Sequence, residues 1–422
     1  MYIRKRASEL QGLGAYPPIG RLGRYQLLGR LAAGGMAEIY LAREPGPKSV
    51  HRHVVVKRIL PHVAEDEIAV AMFVHEAKLC VQLQHPNICP VYEFGEDNGT
   101  YFLAMEWVRG VSLRALIQSA SRGNDASLSV HVITQVFIEL AGALHHAHTA
   151  TDSEGVPLGI VHRDVTPENI IVGYNGVPKL IDFGVAKAKN QQHRTEKGVL
   201  KGKFAYMSPE QYQGASLDPR SDVFSLCICL HEALTGNALF ERASEYETVA
   251  AIVLDPEIPS VRQTRQEVSQ CLEDTLMAGL AKDRSARIGS ADQLQKRLVA
   301  TLENSGRIIR HAAVSEYLEL RFPGQSKNLP TLDRRPVAFS RKHDEADSIQ
   351  RMMAGVEIDD AENMLMRSQK RKPLRLILLL LLMLAGLACA LSWVIHRARV
   401  PAQETVSELG PCSMRPSGIL ES

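Results

Sequence analysis

In HRDVTPENI, residues 162–170, a carboxylate (Asp164) follows a histidine and an arginine, and an amide side chain (Asn169) comes five positions later. Downstream, DFG at residues 182–184 adds a second carboxylate, Asp182. A carboxylate able to accept a proton, and two oxygen donors of the kind a hard cation prefers, make a chemical set. Their order and spacing carry far more information than any one of them.

Upstream of this stretch, residues 25 to 106 read as strands with one helix. YQLLGRLAAGGMAEIYLAR is two β-rich runs around a small-residue turn, and HVVVKRIL is a short β-branched run. AVAMFVHEAKLCVQL carries apolar residues at 70, 73, 74, 77, 80 and 81, which is helical spacing, and HPN ends it. CPVYEFGEDNGTYFLAM reads as a hairpin around Asp97, Asn98 and Gly99. After EWVRG the character changes. HVITQVFIELAGALHHAHTA, SDVFSLCICLHEALTG and VSQCLEDTLMAGLA are helical, with the polar motifs in the loops between them. The expected fold class is therefore α+β: a small β-rich lobe joined to a larger helical one, with a ligand cleft between them.

Net charge is +2 over 422 residues, which gives no reason to expect a nucleic-acid partner, and none is expected. The seven cysteines show neither paired nor metal-ligand spacing; Cys227 and Cys229 fall in an apolar run and read as a buried helix face, consistent with a reducing compartment. His145, His146 and His148 end an apolar helix without a second ligand cluster, so core or surface histidine is the expectation rather than a metal site. The first residues, MYIRKRASELQGLGAYPP, have no apolar run behind their basic residues and do not read as a secretory signal.

The membrane signal comes late. LILLLLLMLAGLACALSWVI, residues 376–395, carries no charge and no polar face, and about 20 such residues span a bilayer core. Five basic residues precede it (Arg367, Lys370, Arg371, Lys372 and Arg375), against Arg397 and Arg399 after it. The positive-inside bias places everything before residue 375 in the cytoplasm of a single-pass cell (inner) membrane protein. The expected organisation is an N-terminal extension (1–24), a two-lobed domain (25–302; lobes 25–106 and 107–302), a juxtamembrane linker (303–375) with some helical propensity, the transmembrane helix (376–395) and an extracytoplasmic tail (396–422) too short for a core of its own. Small residues in GLACA could pack helix on helix and support a homodimer.

Weaker signals fall in line before the central motif. LAAGGMAEIY, residues 31–40, could cover phosphates with backbone N–H groups because its small residues allow close approach; alone it reads equally as a hairpin. Lys57 ends the strand VVVK and alone reads as an edge residue. Glu76 alone reads as a surface residue of its helix.

Taken together, Lys57, Glu76, Asp164, Asn169, Asp182 and SPE (208–210), in that order, resemble the Hanks-type protein kinases, and within them the bacterial serine/threonine kinases. The resemblance covers about residues 25 to 302. It implies the two-lobed kinase fold, ATP and Mg²⁺ as cofactors, protein substrates and the following residue roles. Lys57 contacts the α and β phosphates, with Glu76 holding its amine. Leu31, Ala32, Ala33, Gly34, Gly35, Met36, Ala37, Glu38 and Ile39 form the loop over the nucleotide. Asn169 and Asp182 ligate Mg²⁺, and Asp164, preceded by Arg163, accepts the substrate's hydroxyl proton. Met105 stands behind the adenine, and the backbone around Glu106 to Val108 binds the base. Asp222 and an ion pair between Arg287 and Glu210 look like anchors of the helical lobe. Pro167 in TPEN matches the serine/threonine pattern.

Four positions depart from the family's pattern, in three places. Ala32 and Ala37 stand at the first and third glycine sites; Thr166 replaces the lysine two residues after the catalytic Asp; and Lys203, in GKFAY, replaces a small hydroxyl residue. The last two are complementary, and Lys203 is expected to supply the cation that Thr166 lacks. Thr195 is the single Ser or Thr between Asp182 and Ser208, a candidate phosphosite whose phosphate could pair with Arg163. The expected function is an autophosphorylating, membrane-anchored serine/threonine protein kinase. The competing expectation is a pseudokinase scaffold; a small-molecule phosphotransferase fits the long activation segment less well.

Overall fold

Alternating burial along the first third of the chain produces an antiparallel sheet. The computed structural model describes residues 16–47, 50–120, 128–183, 203–255, 257–328, 330–335 and 337. Strands β1 (Gly20–Leu22), β2 (Tyr25–Ala33), β3 (Ala37–Pro45), β4 (His51–Ile59), β5 (Val91–Asp97) and β6 (Thr100–Glu106) form a six-stranded sheet in the order β1-β2-β3-β4-β6-β5. On β4, Val54 and Val56 are fully buried in a cluster with Leu22, Tyr25, Tyr40 and Phe102. The two-residue period then turns Lys57 and Ile59 to the opposite face. There helix α1 (Glu67–Gln82) packs Ala69, Val70, Phe73 and Ala77 around Ile59. The helical spacing expected at 70–81 is realised, except at Val81, which is 46% exposed.

The β5–β6 turn falls where Asp97, Asn98 and Gly99 predict it. Asn98 (φ 51°) and Gly99 (φ 74°) both adopt left-handed backbone, the requirement of a tight hairpin that matches strand twist.

The second lobe is built around helix α5 (Arg220–Thr235), which is buried on nearly every side from Ser221 to Leu234. A helix without a polar face sits at a lobe's centre, and Cys227 and Cys229 are there fully buried. It ends at Gly236 in left-handed conformation (φ 74°), donating its N–H to the Glu232 carbonyl. Around α5 lie α2 (Leu113–Ala120), α3 (Val130–His148), α4 (Pro209–Tyr212), α6 (Glu245–Val253), α7 (Val261–Thr264), α8 (Gln270–Gly279) and α9 (Ala291–Asn304). Helix α3 contributes Ile133, Val136, Phe137, Leu140 and Leu144 to the shared core.

A small sheet, β7 (Gly110–Ser112), β8 (Ile170–Gly173) and β9 (Pro178–Leu180), forms on the helical lobe. Its β8–β9 hairpin starts just after Asn169 and ends just before Asp182, with Ile170 facing Leu180 and the Ile181 N–H donating to the Asn169 carbonyl at 2.9 Å. One hairpin thereby brings two distant oxygen donors side by side.

The stretch expected to be a linker after residue 302 starts differently. Helix α10 (His311–Arg321) buries Val314 and Leu318 in the core of the helical lobe, and residues up to Val337 continue onto the β-rich lobe. Amphipathic spacing too short to stand out from a charged background hid this helix. Among the described residues no helix is long and apolar enough to cross a membrane. The apolar run at 376–395 lies outside the described residues, as do Thr195 and Gly184.

Candidate active site

Lys57, from β4, reaches two carboxylates: Glu76 on α1 at 3.1 Å and Asp182 at 2.6 Å. Neither Lys57 nor Glu76 is a surface residue; their side chains are 13% and 7% exposed. Burial alone would depress the Lys57 ammonium, but the charges of Asp182 and Glu76 override it and hold the group above the ordinary lysine range. The amine is thus charged and fixed, the state required to meet phosphate oxygens.

Asp164 is buried, and Asn169 donates from Nδ2 to its side-chain Oδ2 at 2.5 Å and to its carbonyl at 2.8 Å. Committing that nitrogen to Asp164 leaves the Asn169 carbonyl oxygen as the atom a hard cation takes. Paired with the Asp182 carboxylate it is an all-oxygen donor set, which fits Mg²⁺.

The loop carrying Asp164 is held against its own conformational preference. Arg163 (φ 65°) and Asp182 (φ 58°) are non-glycine residues in left-handed backbone, a strain of about 1–3 kcal/mol each. Asp222, at the first turn of α5, supports the loop. It accepts the N–H groups of His162 (2.7 Å) and Arg163 (2.8 Å), and its Oδ2 lies 2.7 Å from His148 Nε2. Burial opposes the Asp222 charge, but His148, His162 and the Arg163 amide hold its carboxyl below the usual range. The His162 ring packs 4.4 Å from that of Phe183, fixing the start of the 182–184 motif.

The segment from Lys203 to Tyr212 is anchored mostly by residues that stand in no motif. The Gln211 amide bridges segments: it donates to the Arg163 carbonyl at 3.0 Å and accepts from the Ser208 N–H at 2.9 Å. Tyr206 bonds through its hydroxyl with Glu232 and Arg114, and Arg114 also meets Glu168, next to Asn169, at 2.7 Å. Arg287 and Glu210 make the expected buried pair, at 2.7 and 3.1 Å. His148 is a core histidine, as its place on an apolar helix suggests, and its contact with Asp222 arises from the packing of α3 against α5, which no local spacing encodes.

The phosphate-covering loop is the β2–β3 turn. Ala32, Ala33, Gly34 and Gly35 are exposed, and Gly34 N–H donates to the Ala37 carbonyl at 2.9 Å. None of Ala32, Gly34, Gly35 and Ala37 adopts positive φ here, so the backbone of the turn accommodates alanine at positions 32 and 37. Leu31 packs near Trp107, Met36 against the α1 cluster, and Ile39 lies opposite Lys57 in the β3–β4 ladder. Glu38 departs from its expected role. Its buried carboxylate is committed to Arg30 (2.6 Å), Arg58 (2.7 Å) and Tyr40 (2.9 Å), so it braces the strands of the loop instead of facing a nucleotide. Met105 packs behind the cleft with the α1 cluster; the Glu106 carboxylate pairs with Lys179 at 2.9 Å, and Val108 follows on the connection between lobes. Thr166 is buried, and its hydroxyl has no hydrogen-bond partner among the described residues. Lys203 opens a 3-10 turn (Lys203–Tyr206); its side chain lies outside the described part of the structure.

A fixed lysine, a buried carboxylate and an all-oxygen donor pair meet here in the manner of one class of protein, and the chain belongs to the protein kinase family: the model of the protein kinase domain matches residues 25–299. Its relatives are bacterial Hanks-type kinases. It is similar to Tyrosine-protein kinase MasK of Myxococcus xanthus, 37% identical over 324 residues, covering 76% of this chain and 50% of that protein. Serine/threonine-protein kinase PknD of Mycobacterium tuberculosis is 34% identical over 282 residues (66% and 40%), and PrkC of Bacillus subtilis 32% over 273 residues (65% and 40%). The chain thus spans half or less of the length of these curated relatives. The crystal structure of the M. tuberculosis PknI kinase domain shares the fold, with a TM-score of 0.52 at 24% identity over 69% of this chain and 99% of that one.

Proposed function

We propose that this protein transfers the γ-phosphate of ATP to serine or threonine hydroxyls of proteins, itself included. The observation that carries the proposal is the pairing of two preset groups: Lys57 locked by Glu76, and Asp164 locked by Asn169. In the reaction the acceptor oxygen bonds to the γ-phosphorus, the bond to the bridging oxygen of ADP breaks, and Asp164 takes the hydroxyl proton. Bound Mg²⁺ would neutralise phosphate charge at Asn169 and Asp182. Lys57 exchanges its contact with Asp182 for the α and β phosphates while Glu76 keeps it in place. The test is transfer of labelled phosphate by the full chain, compared with Asp164→Asn, followed by identification of the phosphorylated amino acid. Label on serine or threonine supports the proposal. Label on tyrosine, which the name of the Myxococcus relative makes the second reading, would overturn the acceptor. Nucleotide binding without transfer would instead support a pseudokinase scaffold.

Thr166 supports the idea that the missing cation comes from elsewhere. A buried hydroxyl without a partner costs about 1–3 kcal/mol, so a group absent from the described residues is expected beside it, and the Lys203 ammonium is our candidate. Each of Thr166→Lys and Lys203→Thr should lower activity, and the double exchange should restore it; no recovery contradicts the exchange. Thr195 remains the proposed activating phosphosite, checked by mass spectrometry after incubation with ATP. The apolar run at 376–395 and the basic residues before it support a single-pass anchor in the inner membrane, with the kinase domain in the cytoplasm.

A further inference from the structure

Strand β2 has an open edge where it matters most. Its neighbour β1 pairs only with Tyr25 to Leu27, so the backbone of β2 beyond that point, leading into the phosphate-covering turn, has no strand on its outer side from within the lobe. An uncovered edge is a row of unpaired donors and acceptors that recruits other chain segments. Here the recruit comes from three hundred residues away. Arg30 N–H donates to the Asp333 carbonyl at 2.8 Å, and Asp333 N–H returns a bond to the Arg30 carbonyl at 3.0 Å, an antiparallel bridge. Leu332 seats beside Leu28, Leu41, Leu31 and Trp107. The seat exists because residue 29 is glycine: a Cβ there would stand 2.6 Å from Leu332 Cβ, and its other near neighbours also belong to Leu332 and Asp333.

The same segment is fastened to the other lobe and to the connection between lobes. Helix α10 is held to the helical lobe by Leu318, by Tyr317, whose hydroxyl accepts from Ser129 N–H at 3.1 Å, and by Ser315, which donates to the Tyr174 carbonyl at 2.6 Å. Past the helix, Arg109 on the connection donates to the Ser326 carbonyl at 2.5 Å. Side chains then extend the strap's reach toward the nucleotide. Asp333 Oδ2 meets the Arg30 guanidinium at 2.6 Å, and the same guanidinium meets Glu38 at 2.6 Å. Arg30 precedes the turn and Glu38 follows it, so the chain of charges clamps both legs of the phosphate-covering hairpin.

We propose that the segment running from α10 to Asp333 is a lobe-spanning strap, and that Asp333 is a positioning residue which sets the phosphate-covering hairpin through Arg30 and Glu38. The inference rests on the reading of the cleft as an ATP site. Unseating the strap lets the hairpin drift from the phosphates and weakens nucleotide binding, while the groups that carry out transfer stay in place.

The test uses the full chain with two independent variants, Gly29→Ala, which blocks the seat from the β-rich lobe, and Asp333→Asn, which removes the charge from the strap. Each should raise the KM for ATP by about fivefold or more, the lower range of coupling between distinct sites. The loss should fall on that KM rather than on kcat or on the KM for the acceptor, and Asp333→Glu should recover part of it. Hydrogen exchange of the Arg30 amide should quicken in Gly29→Ala, reporting that the strap has left its seat even if activity is lost altogether. An unchanged KM for ATP in both variants, or an Arg30 amide that exchanges as in the parent, overturns the proposal. Failure of the parent protein to bind ATP is a different result: it removes the kinase reading, and the strap's role with it.

Discussion

At the scale of single residues, the site depends on charges placed where burial disfavours them. Asp222 is 1% exposed, yet three N–H donors keep it ionised and bind the strained Arg163 backbone to α5. Its carboxyl titrates below the ordinary value in the folded state. The stability it contributes is therefore present above that ordinary value and is lost as pH falls through the lower, folded one. Asp222→Asn should flatten the acid limb of a stability-versus-pH profile and lower kcat, because the Asp164 loop loses its support; an acid limb identical to the parent's contradicts this. Glu76→Gln should leave the fold intact and raise the Kd for nucleotide, since the Lys57 amine, on leaving Asp182 for the phosphates, then has no carboxylate to hold it. Lys57, Asp164, Asn169 and Asp182 stood out in the sequence because their types and order resemble the kinase motifs, and the fold brings Lys57 to Asp182 and Asn169 to Asp164. Asp222's partner His148 did not, because an apolar helix that ends in histidines looks the same whether or not a carboxylate lies opposite.

At the scale of elements, the β8–β9 hairpin and the α5 axis position the site. The Arg287–Glu210 pair ties the segment after the 3-10 turn to the far end of the lobe, with both side chains almost fully buried. Burial raises the Glu210 carboxyl, and Arg287 and Ser221 outweigh it, so the group titrates low and the pair persists at neutral pH. Arg287→Ala strands a buried carboxylate and should cost about 3–5 kcal/mol in denaturant unfolding; a loss below about 1 kcal/mol, as at an exposed pair, contradicts the assignment. Most elements were legible locally: the α1 face from its spacing, the β5–β6 turn from Asn98 and Gly99, and α5 as a helix with an apolar run through Cys227 and Cys229. Val81 misled because apolar residues also occur on exposed helix faces. Glu38 misled because its place in the loop motif says nothing about which way its side chain turns.

At the scale of the whole molecule, the packed unit runs past the matched family region. Nothing in the local sequence announces that Asp333 will pair with Arg30, since no period or motif links residues 303 positions apart. Composition favoured a linker there, and packing prevailed because β2 had an edge to fill. The run at 376–395 is legible by the opposite logic: twenty uncharged residues need no tertiary context to be a membrane candidate. The full chain should sediment with membranes and require detergent for release, and removal of 376–395 should yield a protein recovered without detergent. A full chain recovered in the soluble fraction contradicts the anchor.

The most direct check of the central claim is phosphate transfer from labelled ATP and Mg²⁺ by purified full-length protein, beside Asp164→Asn of matched thermal stability. The account predicts label on the protein or an added acceptor with the parent, and its loss in the variant while nucleotide binding persists. Equal transfer by both, or none by a folded parent that binds ATP, would contradict it.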